Sequence, residues 1–287
     1  MILNVLDNRI EERKARDNTL VGNLAQSLAE PFRIDDEETI KRVSLATRYF
    51  DIFTHQLDDV KDRGPGAATS AHMATSNLLC GIYEVLKDAE NSEGVYQNLI
   101  RYWQEASEGE RHLWRHHGKL IPYDAKDLVM LGKRGSMAKI PIALYADASK
   151  NEWPVKNLEM GVENAGLAVQ LFDDIFDWKE DLEGKIYTHP IVLAYNKTGD
   201  LSPESIEQGL FYMGALKETS DIALHYFKEG RKHFSQAGAT ELASTINLLE
   251  NSAVELNKHV DKLRKEGYVD NITKKVRRLA DPLLTCH

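Results

Sequence analysis

Six aspartates in this chain fall into two copies of the pattern Asp-Asp-x-x-Asp. The segment FTHQLDDVKDRG carries the first copy and GLAVQLFDDIFDW the second; their aspartates are Asp58, Asp59 and Asp62, and Asp173, Asp174 and Asp177. On an α-helix, positions i and i+4 lie on one face with i+1 beside them, so each copy gathers three carboxylates on one patch. Mg2+ binds such oxygens together with substrate phosphates. Two facing patches would therefore hold a metal-bound polyphosphate.

Apolar residues flank both acidic patterns, among them Phe53 and Leu57 near the first and Leu171 and Ile175 within the second. Carboxylates placed among such residues are expected to face the interior of a helical bundle, where metal sites are built from facing helices. The alternative is that both patterns are solvated acidic faces of surface helices.

The elements that carry these residues are predicted to be helices. Strand signals are nearly absent, and apolar residues recur at three- and four-residue intervals, as in Leu242, Ile246 and Leu249. We predict an all-α, single-domain helical bundle over residues 1–287, since no linker or repeat divides the chain. The predicted helices run over about 36–61, 69–89, 95–116, 124–149, 155–181, 203–234 and 239–266. Pro141 predicts a kink or a break inside the fourth of them.

Composition excludes several classes of protein. The 287 residues include 36 Lys and Arg against 45 Asp and Glu, a net charge of −9, and 42% are hydrophobic, which is too apolar for disorder. This acidic balance argues against a nucleic-acid binder, which needs a basic face. No stretch is long and apolar enough for a transmembrane segment or a signal peptide, so we expect a cytoplasmic protein. Cys80 and Cys286 lack metal-type or redox-type spacing.

A second group of potential ligands lies in the segment ERHLWRHHG. His112 and His116 are an i, i+4 pair that could bind a metal, with His117 following. However, no glutamate follows the first histidine as it does in the zinc-protease motif. We therefore expect these histidines to lie at the surface, at the end of a helix.

The acidic motifs and two basic segments resemble those of class I isoprenoid synthases, and among them the trans-isoprenyl (polyprenyl) diphosphate synthases. GLAVQLFDDIFDW is similar to the family's G-L-A-x-Q-x-x-D-D-I-x-D helix, including Gln170. LGKRGSM is similar to the family's Lys-Thr-Gly/Ala segment and places Lys133 at its diphosphate-contacting lysine. EGKIYTHP resembles the Gly-Lys-x-Thr-x-Pro segment and places Lys185 as another diphosphate ligand. The resemblance spans roughly residues 37–195.

This resemblance implies an isoprenoid synthase type of bundle with a deep central cavity. It further implies three Mg2+ ions, ionisation of an allylic prenyl diphosphate, and a homodimer. The six aspartates would hold the metals, and Arg63 would join Lys133 and Lys185 at the departing diphosphate. Asp181, one turn beyond Asp177, could assist the six aspartates in binding the metals, although we expect its side chain to be exposed at the end of a helix.

The same resemblance suggests residues of the substrate cavity. The candidates are Phe53, Thr54, Phe172 and Phe176, and ordinary core packing is an equal expectation for each phenylalanine. Family members set product length one turn before the first motif. A bulky Phe53 there implies substrates or products of short to medium length.

The chain departs from the family in the part that binds a second substrate. Chain-elongating members carry an N-terminal Gly-Gly-Lys-x-x-Arg-Pro segment that binds isopentenyl diphosphate, and no such segment precedes Asp58. The nearest basic residues, Lys41, Arg42 and Arg48, are not in that motif. In addition, the lysine-threonine pair of the family is Lys133-Arg134 here.

Three functions remain open from the sequence. The first is a prenyltransferase that passes the prenyl cation to isopentenyl diphosphate or another acceptor. The second is a terpene synthase that cyclises a single prenyl diphosphate. The third alternative is a non-catalytic helical subunit that partners an active synthase.

Overall fold

The protein is described by a computed structural model that covers residues 20–63 and 68–266, with side chains for 24–57, 73–258, 260 and 261. Within these ranges the regular structure is helical, and the one β-type contact is an isolated bridge between His117 and Ile186. The prediction of an all-α helical bundle is confirmed.

The helices follow one another with short connections. In chain order the α-helices are α1 (Leu20–Ser27), α2 (Ala29–Phe32), α3 (Glu37–Arg63), α4 (Ala68–Leu86), α5 (Ser92–Leu113), α6 (Ala125–Lys133), α7 (Ile140–Ser149), α8 (Val155–Phe176), α9 (Trp178–Glu183), α10 (His189–Thr198), α11 (Pro203–Phe211), α12 (Ala215–Ala237) and α13 (Thr240–Glu266). Two 310 helices, Trp114–His116 and Arg134–Lys139, extend α5 and α6.

Three of the predicted helices are divided in the structure. The predicted helix 124–149 is interrupted by the 310 helix, and Pro141 begins α7, where its missing N–H costs nothing. The predicted helix 155–181 breaks at Asp177, whose backbone leaves the helical region. The predicted helix 203–234 breaks at Gly214, which has a φ of 90°. Helices α1, α2 and α10 lie outside the predicted helices.

Helix α8 lies at the centre of the bundle and packs most extensively on α12. The two backbones approach closely at Gly230 of α12, where a β-carbon would lie 3.1 Å from the backbone nitrogen of Ala165 and 3.3 Å from the carbonyl oxygen of Gly161. A β-carbon here would force the α8 backbone to shift by a few tenths of an ångström, so α8 and α12 form a tightly packed pair. The opposite side of α8 faces α6 and the 310 helix Arg134–Lys139.

A buried ion network joins α5, this 310 helix and α8. Lys139 is fully buried, and its ammonium group contacts Glu163 and lies 2.7 Å from Oε2 of Glu105. Ser136 donates a hydrogen bond to the same carboxylate oxygen. Burial raises the pKa of Glu105, but the hydrogen bond from Lys139 contributes in the opposite direction and the net pKa is lowered. Glu105 is therefore ionised and holds three elements together.

Within the described ranges, no helix combines the length and the apolar character that crossing a lipid bilayer requires.

Candidate active site

A cavity of about 490 Å³ lies between α3, α5, the 310 helix Arg134–Lys139 and α8. Apolar and aromatic side chains form much of its wall, with a few polar groups among them. They include Phe50, Thr54, Leu57, Trp103, Glu110, Arg134, Met137 and Gln170. The cavity has the size and composition of a site for a small, mostly apolar ligand with one polar end.

The second acidic motif lies on α8 next to the polar residues of this cavity. Gln170 lines the cavity, and its amide donates a 2.7 Å hydrogen bond to Oδ1 of Asp174 one turn later. Asp174 is buried, whereas Asp173 and Asp177 are half-buried. The structure thus places the second motif inside the bundle, as the flanking apolar residues predict.

Asp174 occupies an unusual electrostatic position. Burial, together with the carboxylates of Asp173 and Asp177, raises its pKa from 3.8 to about 7, against the opposing effects of Gln170 and Arg134. Its Oδ2 atom is buried and has no hydrogen-bond partner among the described residues. A buried carboxylate oxygen without a partner is costly. A cation bound at this point would remove that cost.

Asp181 belongs to the same acidic cluster, contrary to the expectation of an exposed acid at a helix end. Burial and the charges of Asp174 and Asp177 raise its pKa to about 8. Thr188 donates a 3.3 Å hydrogen bond to Oδ2 of Asp181. The break at Asp177 turns the chain so that α9 presents Asp181 to the end of α8. We define the acidic cluster as Asp173, Asp174, Asp177 and Asp181.

Two basic residues lie where α6 ends, and the charge of one of them, Arg134, acts on Asp174 of the acidic cluster. Lys133 is the last residue of α6, and its ammonium group has no hydrogen-bond partner or ion pair within the described part of the chain. Arg134 lines the cavity, and its Nε donates a 2.8 Å hydrogen bond to Glu110. A β-carbon on Gly109 would lie 2.9 Å from the backbone nitrogen of Arg134. This close approach of α5 and α6 brings Arg134 to the cavity.

Lys185 lies in a loop that folds back on the acidic cluster. Its backbone has a φ of 57°, and its carbonyl accepts a 2.7 Å hydrogen bond from the N–H of Gly118. The N–H of Ile186 donates to the carbonyl of Asp181 at 2.7 Å. The loop is therefore held both to α9 and to the segment that follows α5, with the Lys185 side chain exposed.

The first acidic motif lies at the end of α3. Asp58, Asp59, Asp62 and Arg63 are on the last two turns of this helix, and their side chains lie outside the described residues. Asp58 and Asp62 occupy the positions one and two turns beyond Thr54, a residue of the cavity wall.

The phenylalanines predicted for the cavity have different places in the core. Phe53 is buried and its ring centroid lies 5.3 Å from that of Trp103, which lines the cavity. Phe172 stacks with Phe176 at 6.4 Å and with Phe227 of α12 at 6.0 Å. Phe172 and Phe176 therefore pack toward α12, away from the described cavity wall, and Thr54 is the predicted cavity residue that the structure places there.

The expectation of surface histidines was wrong for His112 and His116. Both rings are buried, and His112 contacts the carboxylate of Asp127 at the start of α6. His117, in contrast, is exposed, and its ring lies tilted by 39° against that of Trp114 with the centroids 4.8 Å apart. The neighbouring Arg111 and Arg115 are exposed, whereas the fold buries the two histidine rings beside them.

Two residues of the site carry no signal in the sequence motifs. Arg134 replaces a threonine of the family pattern. Its place in the cavity wall follows from its hydrogen bond to Glu110, a residue 24 positions earlier in the chain. Tyr123 is half-buried, and desolvation followed by the Asp174 charge raises its pKa. A loop tyrosine gives no periodic pattern, so its place beside the cluster becomes visible only in the folded chain.

Comparison with known proteins places this geometry in a known fold. The sequence matches no known family, and it matches no curated protein. Solved structures do match. A geranylgeranyl pyrophosphate synthetase from the archaeon Geoglobus acetivorans has a TM-score of 0.64 at 20% identity, covering 79% of this chain and 84% of its own.

Two further solved structures are similar. An Arabidopsis medium/long-chain length prenyl pyrophosphate synthase has a TM-score of 0.66 at 14% identity, covering 88% of this chain and 97% of its own. A geranylgeranyl pyrophosphate synthase from Lactobacillus brevis has a TM-score of 0.63 at 13% identity, covering 86% and 99%. The chain therefore has the all-helical fold of prenyl pyrophosphate synthases.

Proposed function

We propose that this protein is a Mg2+-dependent enzyme that ionises an allylic prenyl diphosphate and transfers the prenyl cation to an acceptor. The observation that carries this proposal is the buried acidic cluster beside a largely apolar cavity of about 490 Å³. Its single-domain organisation over residues 1–287 and its assembly as a homodimer stay predictions.

The acidic cluster fits a hard divalent cation. Asp174 has an unpartnered buried oxygen, and the neighbouring carboxylates raise its pKa and that of Asp181. Such a set is unfavourable by itself and becomes favourable around Mg2+, which takes oxygen ligands and shares them with phosphates. When bound, Mg2+ neutralises charge that develops on the diphosphate. We propose Asp58, Asp59, Asp62, Asp173, Asp174 and Asp177 as ligands.

The remaining residues supply what ionisation requires. Breaking the allylic carbon–oxygen bond leaves its electron pair on the diphosphate and positive charge on carbon. Lys133, Arg134 and Lys185 would meet the diphosphate, and Arg134 can make a bidentate contact. Gln170 orients Asp174 through its hydrogen bond. The cavity wall, with Trp103, excludes water from the cation.

A terpene synthase is the second candidate, and the cavity gives a reason to consider it. Arg134 is the one arginine or lysine among the residues that line the described cavity. Lys41 pairs with Glu37 at 3.4 Å and Arg42 with Asp88 at 3.7 Å, so both are engaged elsewhere. A second diphosphate such as isopentenyl diphosphate needs basic groups of its own, whereas cyclisation of one prenyl diphosphate does not.

A non-catalytic partner subunit is the third candidate. A subunit without chemistry gains nothing from an unpartnered carboxylate oxygen in its interior. The acidic cluster therefore favours an active enzyme.

Product analysis tests the proposal directly. The protein is incubated with Mg2+ and geranyl, farnesyl or geranylgeranyl diphosphate, with and without isopentenyl diphosphate, and products are identified by mass spectrometry. A longer prenyl diphosphate formed only with isopentenyl diphosphate establishes chain elongation. A hydrocarbon or terpene alcohol from the allylic substrate alone establishes the terpene synthase. If Asp173→Ala and Lys133→Ala no longer form the product and their unfolding temperatures are unchanged, the reaction takes place at this site.

Proton release on ligand binding gives a second test. Asp174, whose pKa is about 7, must lose its proton to bind a metal, and a cation beside it also favours loss of the proton from the neighbouring Asp181, whose pKa is about 8. We expect Mg2+ plus inorganic diphosphate to bind more tightly as the pH rises from about 6 to about 8.5, with net proton release. Titration calorimetry in two buffers of different ionisation enthalpy measures it. Binding that is independent of pH and buffer would show that Asp174 does not ligate the metal.

The two ligands are expected to act together. Mg2+ and inorganic diphosphate each supply ligands that the other needs, so the unfolding temperature should rise with both and little with either alone. Additive shifts would favour the non-catalytic subunit.

A further inference from the structure

A second group of metal-ligating side chains lies outside the acidic cluster, where α5 ends and α6 begins. His112 is in the last turn of α5, His116 in the 310 helix that follows, and Asp127 in the first turn of α6. One potential ligand atom from each lies within 4.8 Å of the others. All three residues are buried, with His116 only 1% exposed.

His116 provides an independent observation that points to a ligand at this group. Both of its ring nitrogens are buried, and neither has a hydrogen-bond partner among the described residues. Its ring stacks on Tyr123 with a centroid distance of 4.0 Å, which fixes the plane of the imidazole. A neutral imidazole carries one donor and one acceptor, and leaving both unpaired in the interior is costly. Burial lowers the pKa of His116 against the opposing effects of Asp127 and the Ile121 backbone, and this favours the neutral ring, the state in which histidine binds metals.

We propose that His112, His116 and Asp127 form a binding site for one zinc-type transition-metal ion. Two imidazole nitrogens and one carboxylate oxygen are a donor set that Zn2+ accepts with a water or a fourth ligand, whereas Mg2+ prefers oxygen ligands alone. The ion would lie between groups that already converge on one point. This site is distinct from the acidic cluster and is independent of the proposed function.

The contacts around the three residues are compatible with this role. Oδ2 of Asp127 accepts a 2.8 Å hydrogen bond from the backbone N–H of Asp124. This bond orients the carboxylate so that its Oδ1 faces His112. Arg115 contacts Nδ1 of His112 at 3.2 Å through an exposed side chain. When the ion takes Nε2 of His112, the ring proton moves to Nδ1 and Arg115 turns into solvent.

The position of the site suggests a structural role. The ion would join the end of α5 to the start of α6 across the connecting segment 117–124. Gly118 in this segment donates the hydrogen bond that holds the Lys185 carbonyl, and His117 bridges to Ile186. Metal binding would therefore brace the loop that carries Lys185.

Metal content and the spectrum of bound cobalt test the proposal on the full chain. The protein is stripped with a chelator, dialysed against Zn2+ and analysed by mass spectrometry for metals. We expect one Zn2+ per chain and a higher unfolding temperature than in the stripped protein. Co2+ in place of Zn2+ should give the intense visible absorption of a four-coordinate site with nitrogen ligands. Absence of both signals in the wild-type protein overturns the proposal.

Two variants locate the ion. His116→Phe keeps the ring that stacks on Tyr123 and removes two nitrogens that make no hydrogen bond. Asp127→Asn keeps an oxygen for the N–H of Asp124. Each should weaken Zn2+ binding by about 100-fold or more, since even the loss of groups that only orient ligands costs 10–100-fold.

Two control variants exclude other sites. His225→Asn removes an exposed histidine of α12, and Asp174→Asn alters the acidic cluster; both should retain the ion. If Zn2+ is lost in Asp174→Asn but retained in His116→Phe, the ion binds at the acidic cluster and the proposal is overturned. If a site variant fails to fold, the cobalt spectrum of the wild-type protein decides.

Discussion

Asp174→Asn is expected to lower turnover by at least about 100-fold while making the metal-free protein more stable at alkaline pH. The loss of turnover follows because an amide cannot replace a charged ligand of the metal-bound diphosphate. The gain in stability follows because the carboxylate is buried, with one oxygen lacking a partner. Asparagine keeps an oxygen that can accept the hydrogen bond from Gln170.

The pH dependence of this gain has a defined sign. The unfolded chain releases the Asp174 proton near the ordinary pKa of 3.8, whereas the folded chain retains it to about 7. The contribution of Asp174 to the free energy of unfolding of the wild-type protein is therefore fully present below about pH 4 and is lost as the pH rises to about 7. The variant should gain on the order of 1 to 3 kcal/mol at about pH 8.5 and nothing at about pH 4.

Urea unfolding in the presence of a chelator measures the free energy of unfolding at both pH values, and product formation measures turnover. Asp221→Asn, a change at an exposed surface ion pair of α12, is the matched control and should alter neither quantity appreciably. Wild-type turnover in Asp174→Asn would remove this residue from the catalytic site. An equal stability gain at both pH values would contradict the raised pKa.

Lys139→Met is expected to destabilise the fold by about 3–5 kcal/mol. The substitution keeps the unbranched apolar stem, one atom shorter, and removes the only buried cation that contacts both Glu105 and Glu163 among the described residues. Glu163 would then lose its ion pair, and Glu105 would keep only the hydrogen bond from Ser136 and the contact of its Oε1 with Arg101 at 3.3 Å. Such uncompensated burial is more costly than the salt bridge itself is stabilising.

Two further variants isolate this effect in urea unfolding at pH 7. Lys139→Met combined with Glu105→Gln and Glu163→Gln removes the charges together and should recover most of the loss. Lys197→Met breaks the more exposed pair with Glu218, 2.7 Å apart, and should cost about 1 kcal/mol or less. Equal losses in Lys139→Met and Lys197→Met would show that the buried network contributes no more than a surface pair.

The parts of the site that sequence could predict depend on local helix geometry. Gln170 and Asp174 are four residues apart on one helix, so their contact follows from the helical repeat alone. Pro141 marked a boundary for the same reason, because its ring prevents an uninterrupted helix. Long periodic helices such as α5 and α13 were predicted within a few residues of their ends.

The remaining parts depend on contacts between distant segments. Asp181 looked like a surface acid because the pattern contained no sign of the break at Asp177 that redirects it. The burial of His116 depends on Tyr123, which lies in an irregular segment. Helix α10 escaped notice because it is short, although Pro190 in its first turn is a helix-start signal.

The close packing at Gly230 also has a mechanical consequence. Because the backbones of α8 and α12 are in direct contact there, α8 cannot slide along α12 without a steric clash. Any closing movement around a ligand must therefore be made by elements on the other side of the cavity. The positions of the α8 carboxylates are therefore fixed before a ligand binds. Ligand binding energy is then spent on the reacting bond and not on assembling this half of the site.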